Sequence, residues 1–369
     1  MSDPIRIGTF WPFTGPPGVQ VNAAHLQAGT ATAIAAFNER GGLRGRPVHL
    51  LVEDSGYDTE MTARAARKLI DEDGVVALLN ANGTPQITAL LPYLGASGIP
   101  LLLPFGGADE WYDPPRGWIL GLNAPFNDIG VLLGRWAADD GCRSIAVLYP
   151  DYPPTSTTMA QRVARGFEEA GGDGAHLVRV TLGSRDGTGM ADAIEEIAPD
   201  AVVILTNRPE LEVLTGELHR RRRPLPLYSW SSNVTESTAA ELGALIEGMK
   251  GHAQILADPA ADLPLVQHYR ALMARDSPDL RLDTRSLQAF AHTSVFTEAL
   301  SRIPGEVTEQ TIVEAFLSLD GYDTGILGPV SFTADKPIGI TTVQPMQLRD
   351  GHWVTCAEPQ CLPSQEKHP

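Results

Sequence analysis

The chain is poor in the residues and runs by which most functions announce themselves. Three cysteines in 369 residues are too few for a disulfide framework. Cys142 stands in a helix-to-strand turn, and Cys356 and Cys361, five apart near the end, are open either to bridging or to staying free. No second Cys or His pair accompanies them at zinc spacing, so no metal site and no cofactor is expected. No run approaches the roughly eighteen consecutive apolar residues of a membrane-spanning helix, so no membrane insertion is expected. Positive charge is scarce. Lys+Arg at 28 against Asp+Glu at 45 give a formal net charge of −17, which argues against a nucleic-acid or anionic-membrane partner. The one basic run, His219 to Arg223, stops at Pro224 and reads as a helix end, where cations complement the dipole.

Enzyme signatures are also missing. There is no G-x-x-x-x-G-K-[ST] phosphate loop, no G-x-G-x-x-G after the first strand, no G-x-S-x-G elbow and no H-E-x-x-H pair. The nine histidines are scattered, and one inside an amphipathic helix, such as His292, reads as a packed residue. Asp54 and Asp58 follow an apolar run and read as turn and N-cap residues before a helix at Thr59. The N-terminus Met1-Ser2-Asp3-Pro4 enters an apolar strand with no basic or apolar leader. That fits either a cytoplasmic chain or a mature domain whose signal has been removed.

What is present is a rhythm. "IRIGTF" (5–10), "VHLLVE" (48–53), "VVALL" (75–79) and "PLLLP" (100–104) are short runs, apolar nearly throughout, and longer helical patterns separate them. Strands without face alternation imply a parallel sheet covered on both sides. The rhythm restarts with "SIAVLYP" (144–150), "HLVRVTL" (176–182), "DAVVILT" (200–206) and "PLYSW" (226–230). Two sets of βα units suggest two doubly wound lobes. A closed eight-stranded barrel is the alternative, disfavoured by the extended break at "GWILGLNAPFND" (117–128). Long helices near 262–275 and 284–302, then a strand at 328–332, must return to lobes already built, and the polar tail after Pro359 is expected to be mobile.

Open α/β sheets bind ligands at the carboxyl ends of their strands. Polar or aromatic loops follow those ends here: Thr9 to Pro16 with Trp11 and Phe13, "NANGTP" (80–85), Phe105-Gly106-Gly107, Asp151 to Thr155, Thr206-Asn207-Arg208, and Trp230 to Asn233. In "LLNANGTPQ" an apolar strand meets a helix start through Asn, Gly and Thr. That leaves backbone N–H groups facing open space. Taken together, six such loops in two lobes suggest a ligand cleft between the lobes.

On "TFWPFTGPPG", "FNERGGLRGRPVHLLVEDSGYD" (37–58), "ASGIPLLLPFGG" (96–107) and "GILGPVSFTADKPIG" (325–339), the chain resembles the type I periplasmic binding proteins of the leucine/isoleucine/valine-binding kind. These are the solute receptors of ABC transporters, and the resemblance spans about residues 5–355. The most specific mark is the helix ending in N-x-x-G-G-x-x-G-x-P ahead of a strand and an acidic turn. The resemblance implies Rossmann-like lobes at 1–124 with 253–328 and at 125–252 with 329–355, a tail at 356–369, and three crossovers that hinge on a ligand.

It also implies site residues. Thr84 stands where the family has a hydroxyl that binds the ligand carboxylate, with Asn82 and Gly83 on the same strand end. Phe105 and Gly107 stand where backbone and a Thr hydroxyl complete that site, and Gly107 lacks the hydroxyl. Tyr152 or Thr155, and Asn207 or Arg208, fall near aromatic positions of the second lobe. Ser231 replaces an acid that amino-acid-binding members use for the ammonium group. An ammonium closed away without a counter-charge is costly. The expected ligand is therefore an amide, a small carboxylate or an aromatic acid, with Arg208 to pair an acid and Trp11, Phe13 and Trp230 to stack on a ring. The implied partners are this small molecule and a membrane permease, and no catalysis is implied. One alternative is a cytoplasmic amide-sensing regulator of the same fold, on the likeness of "PDYPPTSTTM" to that protein's loop. A more remote one is an enzyme with its site in the cleft.

Overall fold

The computed structural model describes residues 3–16, 19–152 and 155–365. Pro153 and Pro154 of the anticipated loop, and the end of the tail, lie outside the described residues. The chain forms two α/β units with parallel sheets, Met1–Asn123 with Pro259–Ile340 and Ala124–Asp258 with Thr341–Pro369, and so passes between units three times. The barrel alternative is thereby overturned.

Unit 1 begins with β1 (Ile5–Trp11), α1 (Val19–Glu39), β2 (Val48–Asp54), α2 (Thr59–Arg67), β3 (Leu78–Leu79), α3 (Thr84–Ser97), β4 (Leu101–Leu102), α4 (Asp109–Tyr112) and β5 (Ile119–Leu120). The parallel sheet runs β2-β1-β3-β4-β5. Strand β1 buries every residue except Arg6, as expected with helices on both faces. Asp58 does cap α2, accepting from the Met61 N–H at 2.8 Å.

Unit 2 follows with α5 (Phe126–Asp139), β6 (Ser144–Pro150), α6 (Thr155–Glu169), β7 (Gly174–Val180), α7 (Gly187–Ile197), β8 (Ala201–Ile204), α8 (Arg208–Arg220), β9 (Leu227–Ser229), α9 (Glu236–Leu242) and β10 (Lys250–Ala253). The chain returns to unit 1 with α10 (Pro264–Asp276), α11 (Thr284–Ser301), α12 (Glu309–Leu317), β11 (Tyr322–Asp323) and β12 (Pro329–Val330). It ends in unit 2 with β13 (Thr342–Arg349), β14 (His352–Thr355) and β15 (Gln360–Cys361). The second sheet runs β14-β13-β10-β9-β8-β6-β7, parallel from β10 to β7, with β13 antiparallel to β10 and to β14.

The last third departs from expectation in three ways. The strand at 328–332 is the short β12, paired with β11 rather than with the second sheet. Residues 337–339 stay in unit 1, where the Gly121 N–H donates to Pro337 O and the Gly121 carbonyl accepts from the Gly339 N–H, so the return falls at Thr341 instead of 329. Likewise the second crossing falls after Asp258 instead of at 253. The described part of the tail is tied to unit 2. Strand β15 pairs with β13, Leu362 is buried, and Trp136 donates to Gln360 Oε1 at 2.6 Å. Cys356 and Cys361 are both free, since they flank separate stretches of β13.

Glycines set the closest helix contacts. A Cβ on Gly29 of α1 would overlap the Ser286 carbonyl of α11, and one on Gly134 of α5 would overlap Val163 O and sit 2.6 Å from Phe167 N of α6. We expect Gly134→Ala to lower stability by about 1–3 kcal/mol through overpacking. Gly216→Ala in α8, where an added methyl meets nothing within 4 Å, is expected to raise it by up to about 1 kcal/mol. Urea unfolding of both variants checks this, and shifts of the same sign would refute the packing argument.

Candidate functional site

In unit 1 the strand order reverses direction at β1, which has β2 on one side and β3 on the other. The loops leaving β1 and β3 therefore part and open a crevice at their carboxyl ends. Asn80 anchors it. This buried residue has φ +54°, its carbonyl accepts from Trp11 Nε1 at 2.8 Å, and its Nδ2 donates to Thr30 Oγ1 and Thr293 Oγ1, each at 2.9 Å. Beyond it the β3 and β4 loops are zipped together. Phe105 N–H donates to Ala81 O at 2.8 Å, and Asn82 Nδ2 donates to Phe105 O at 3.1 Å.

Gly83 then turns the chain at φ +127°, where a Cβ would come 2.7 Å from Gln86 Oε1. Thr84 opens α3, with Pro85 in the first turn. Its hydroxyl and its amide N–H have no hydrogen-bond partner among the described residues. A Cβ on Gly106 would sit 3.0 Å from Thr84 Oγ1 and 2.7 Å from the Trp111 ring. Gly106 thus keeps space beside the Thr84 hydroxyl.

Trp11 is a correction. Its indole is fully buried and packs with Ala23, Leu26, Phe105 and Ala289, so it floors the crevice and offers a ligand no face. Phe13, half-buried, meets it edge-on at 6.1 Å. The Phe13 amide donates to Asp54 Oδ1 at 2.9 Å. Burial acts to raise the Asp54 pKa, but hydrogen bonds from Thr14, Gly56 and Phe13 outweigh it and hold the carboxyl below its usual range. Phe105 itself is stacked on His292, with ring centroids 5.0 Å apart, and the Arg285 guanidinium lies 5.9 Å from its centroid. Sequence reasoning did not select Arg285. Its only signal was a lone charge near the start of an otherwise buried helix.

In unit 2 the reversal falls at β6, between β7 and β8. The loops after β6, β8 and β9 are neighbours, which brings Tyr152, Thr155, Asn207, Trp230 and Ser231 to one sheet end. The Thr206 carbonyl joins two of the loops, accepting from Trp230 Nε1 at 3.0 Å and Asn233 Nδ2 at 2.9 Å. Trp230 meets Phe126, a residue not anticipated, edge-on at 5.3 Å. Tyr152 and Ser231 are half-buried and Thr155 is buried. Asn207 is the N-cap of α8, yet its side chain makes no capping bond and has no partner among the described residues. Glu210 completes the helix start instead, accepting from the Gly183 and Asn207 amides. Burial raises its pKa against those bonds. Arg208 does not stand open to pair an acid, because its guanidinium binds Glu241 at 2.8 Å.

Among the described residues no group of His, Cys, Asp and Glu could hold a metal ion, and no helix is long and apolar enough to cross a membrane. What the two sheet ends share is unspent polar capacity at a strand-to-helix turn, with aromatic rings alongside, a combination suited to holding a small organic molecule. A family model described as periplasmic binding protein matches residues 4–352, and the chain belongs to that family. Similar folds include a possible leucine/isoleucine/valine-binding protein from Rhodopirellula baltica SH 1, with 19% identity, TM-score 0.87 and 96% of each chain covered. A branched chain amino acid ABC transporter from Thermus thermophilus with bound valine shares 18% identity at TM-score 0.86, covering 98% of this chain and 97% of that one. A solute binding protein of an ABC transporter from R. palustris, in complex with benzoate, shares 14% at 0.84, covering 97% and 98%. No curated protein matches the chain by sequence. The family and these structures are solute-binding proteins rather than enzymes.

His292 makes the unit 1 crevice sensitive to acid. Burial first, and the Arg285 charge second, push its pKa down to about 3. The unfolded chain, with a pKa of about 6.5, binds the proton first, so this contribution to stability is full above about pH 6.5 and is lost as pH falls toward 3. The wild-type unfolding free energy should decline across that window with a component of up to about 1.4 kcal/mol per pH unit. That component should be missing from His292→Gln, and equal pH profiles would contradict it.

Proposed function

We propose that this chain is the solute-binding component of an ABC-type importer, working outside the cytoplasm and delivering a small polar solute to a membrane permease. The observation that carries the reading is Thr84. At the switch point of the first sheet, a helix N-terminus presents a hydroxyl and an amide N–H that no described protein group uses. Such a start suits an anionic or strongly polar oxygen. The ligand's carboxylate or amide oxygen binds there, and its body lies against Phe13 and, after hinge closure of the two units, against Trp230, Phe126 and the Asn207 amide.

The ligand is an amide, a small carboxylate or an aromatic acid rather than a standard α-amino acid. Ser231 supplies no charge, Glu210 at the neighbouring turn is buried and held by backbone amides, and Asp151 at the end of β6 accepts from the Leu182 amide. An ammonium group would therefore be desolvated without compensation. With Arg208 committed to Glu241, a carboxylate depends on Thr84 and the start of α3. The benzoate and valine held by the two similar structures bracket the choice.

Thermal-shift measurements with benzoate, butyramide, valine and leucine test the reading, since ligand at about 100 times its Kd stabilises the folded state by about 2.7 kcal/mol. Benzoate or butyramide should give the largest shift, and Thr84→Val should weaken that compound about tenfold or more by removing a hydrogen bond to a polar ligand group. A largest shift from valine or leucine would sink the argument from Ser231.

A further inference from the structure

A chain of side-chain hydrogen bonds runs beneath the unit 1 crevice. Arg285 Nη1 donates to Gln288 Oε1 at 3.2 Å, Gln288 Nε2 donates to Asn123 Oδ1 at 2.8 Å, and Asn123 Nδ2 donates to the Pro104 carbonyl at 2.7 Å. All three side chains are buried. Every donor points the same way, from α11 toward the β4 loop, so neither amide can be turned over without placing two acceptors, or two donors, face to face.

The far end of this chain is the peptide leading into Phe105. That residue's N–H, carbonyl and ring are separately held by Ala81, Asn82 and His292. The middle of the chain is more telling. Asn123 is the last residue of unit 1 before the first crossing, and the next amide N–H, that of Ala124, donates to Gln254 Oε1 at 3.0 Å within unit 2. Two successive residues are thus fixed by buried amides belonging to different units. Motion between the units at this crossing must be absorbed by very few dihedral angles.

We propose that Gln288 and Asn123 are positioning residues that couple the Phe105 loop of the binding crevice to the first crossing, so that the same two hydrogen bonds set the shape of the crevice and the freedom of the hinge. The significance of the coupling for solute capture rests on the function proposed above, but the coupling itself requires no ligand. A displaced Pro104 carbonyl strains Asn123, and a rotated Asn123 releases Pro104. A role confined to filling a buried polar space would alter stability alone.

The test uses the full chain without added ligand. Gln288→Glu keeps the acceptor for Arg285 but turns the donor to Asn123 into an acceptor, and Asn123→Ala removes both of its bonds. Hydrogen exchange over residues 101–112 should quicken about tenfold in each variant, the local opening expected from losing a buried hydrogen bond, while α8 keeps its wild-type rate. Spin labels at Ala89→Cys and His219→Cys, in a background with the native cysteines replaced by serine, should show a broader distance distribution in both variants. The double variant should be no worse than either single one, because both cut one chain. Faster exchange with an unchanged distribution would overturn the coupling, as would unchanged exchange or equal quickening in α8. Should Gln288→Glu fail to fold, Asn123→Ala alone decides by the same readouts. If none of the four thermal-shift compounds binds, the functional reading falls while these ligand-free measurements still decide the coupling.

Discussion

One buried amide holds the unit 1 crevice together. The Asn80 side chain gives both its N–H groups to helix hydroxyls, Thr30 on α1 and Thr293 on α11, while the main-chain carbonyl of Asn80 accepts from the indole of Trp11 at the end of β1. Its own N–H donates to Leu102 O on β4. Three elements and a neighbouring strand therefore meet at a residue whose left-handed φ turns the chain out of the sheet. Four of its polar groups are paired in this way, and only the side-chain oxygen Oδ1 finds no partner among the described residues, so the node is held by bonds made in a buried setting where each counts for more than in water. Once that turn is fixed, Ala81 and Asn82 are in register with Phe105, Gly83 can reverse the chain, and Thr84 is left facing outward.

Unit 2 solves the same problem with different chemistry. There the shared group is a main-chain carbonyl, that of Thr206, which accepts from Trp230 and Asn233. Glu210 caps α8 from inside, which leaves the Asn207 side chain unspent. The first crevice thus offers donors at a helix start, and the second offers an aromatic edge and a neutral amide. The acids bordering these turns, Asp54, Asp151 and Glu210, each accept from backbone amides, and the Arg208 guanidinium at the second turn binds Glu241.

Much of this architecture was legible in the one-dimensional pattern, because a strand buried on both faces must be apolar along nearly its whole length. Ile5–Trp11 and Ser144–Pro150 could be read almost to the residue. The closing antiparallel strands were not. Strand β13 mixes Gln and Pro with apolar residues, and the turn after it, with Asp350 and Gly351 both at positive φ, is a two-residue hairpin whose Asp-Gly signal stood in plain view. The order of the tail was hidden for a related reason. Only Leu362 among its last described residues is deeply buried, and besides the short pairing with β13 its ties are polar contacts of Gln360 and Ser364 with Trp136 and Asp128, more than two hundred positions away.

The sequence by itself determined the class of fold and the strand ends at which polar turns gather, since both follow from local composition and its period. It also determined that Thr84 opens a helix, because Gly-Thr-Pro leaves little else. Only the tertiary structure decided which of the gathered side chains remain free to meet a solute. Trp11 and Arg208 look as available in the sequence as Phe13 and Asn207. One is spent on packing and on Asn80, and the other on Glu241. Availability is the hydrogen-bonding and packing capacity left after distant partners have taken their share, and those partners lie at separations that no local pattern encodes.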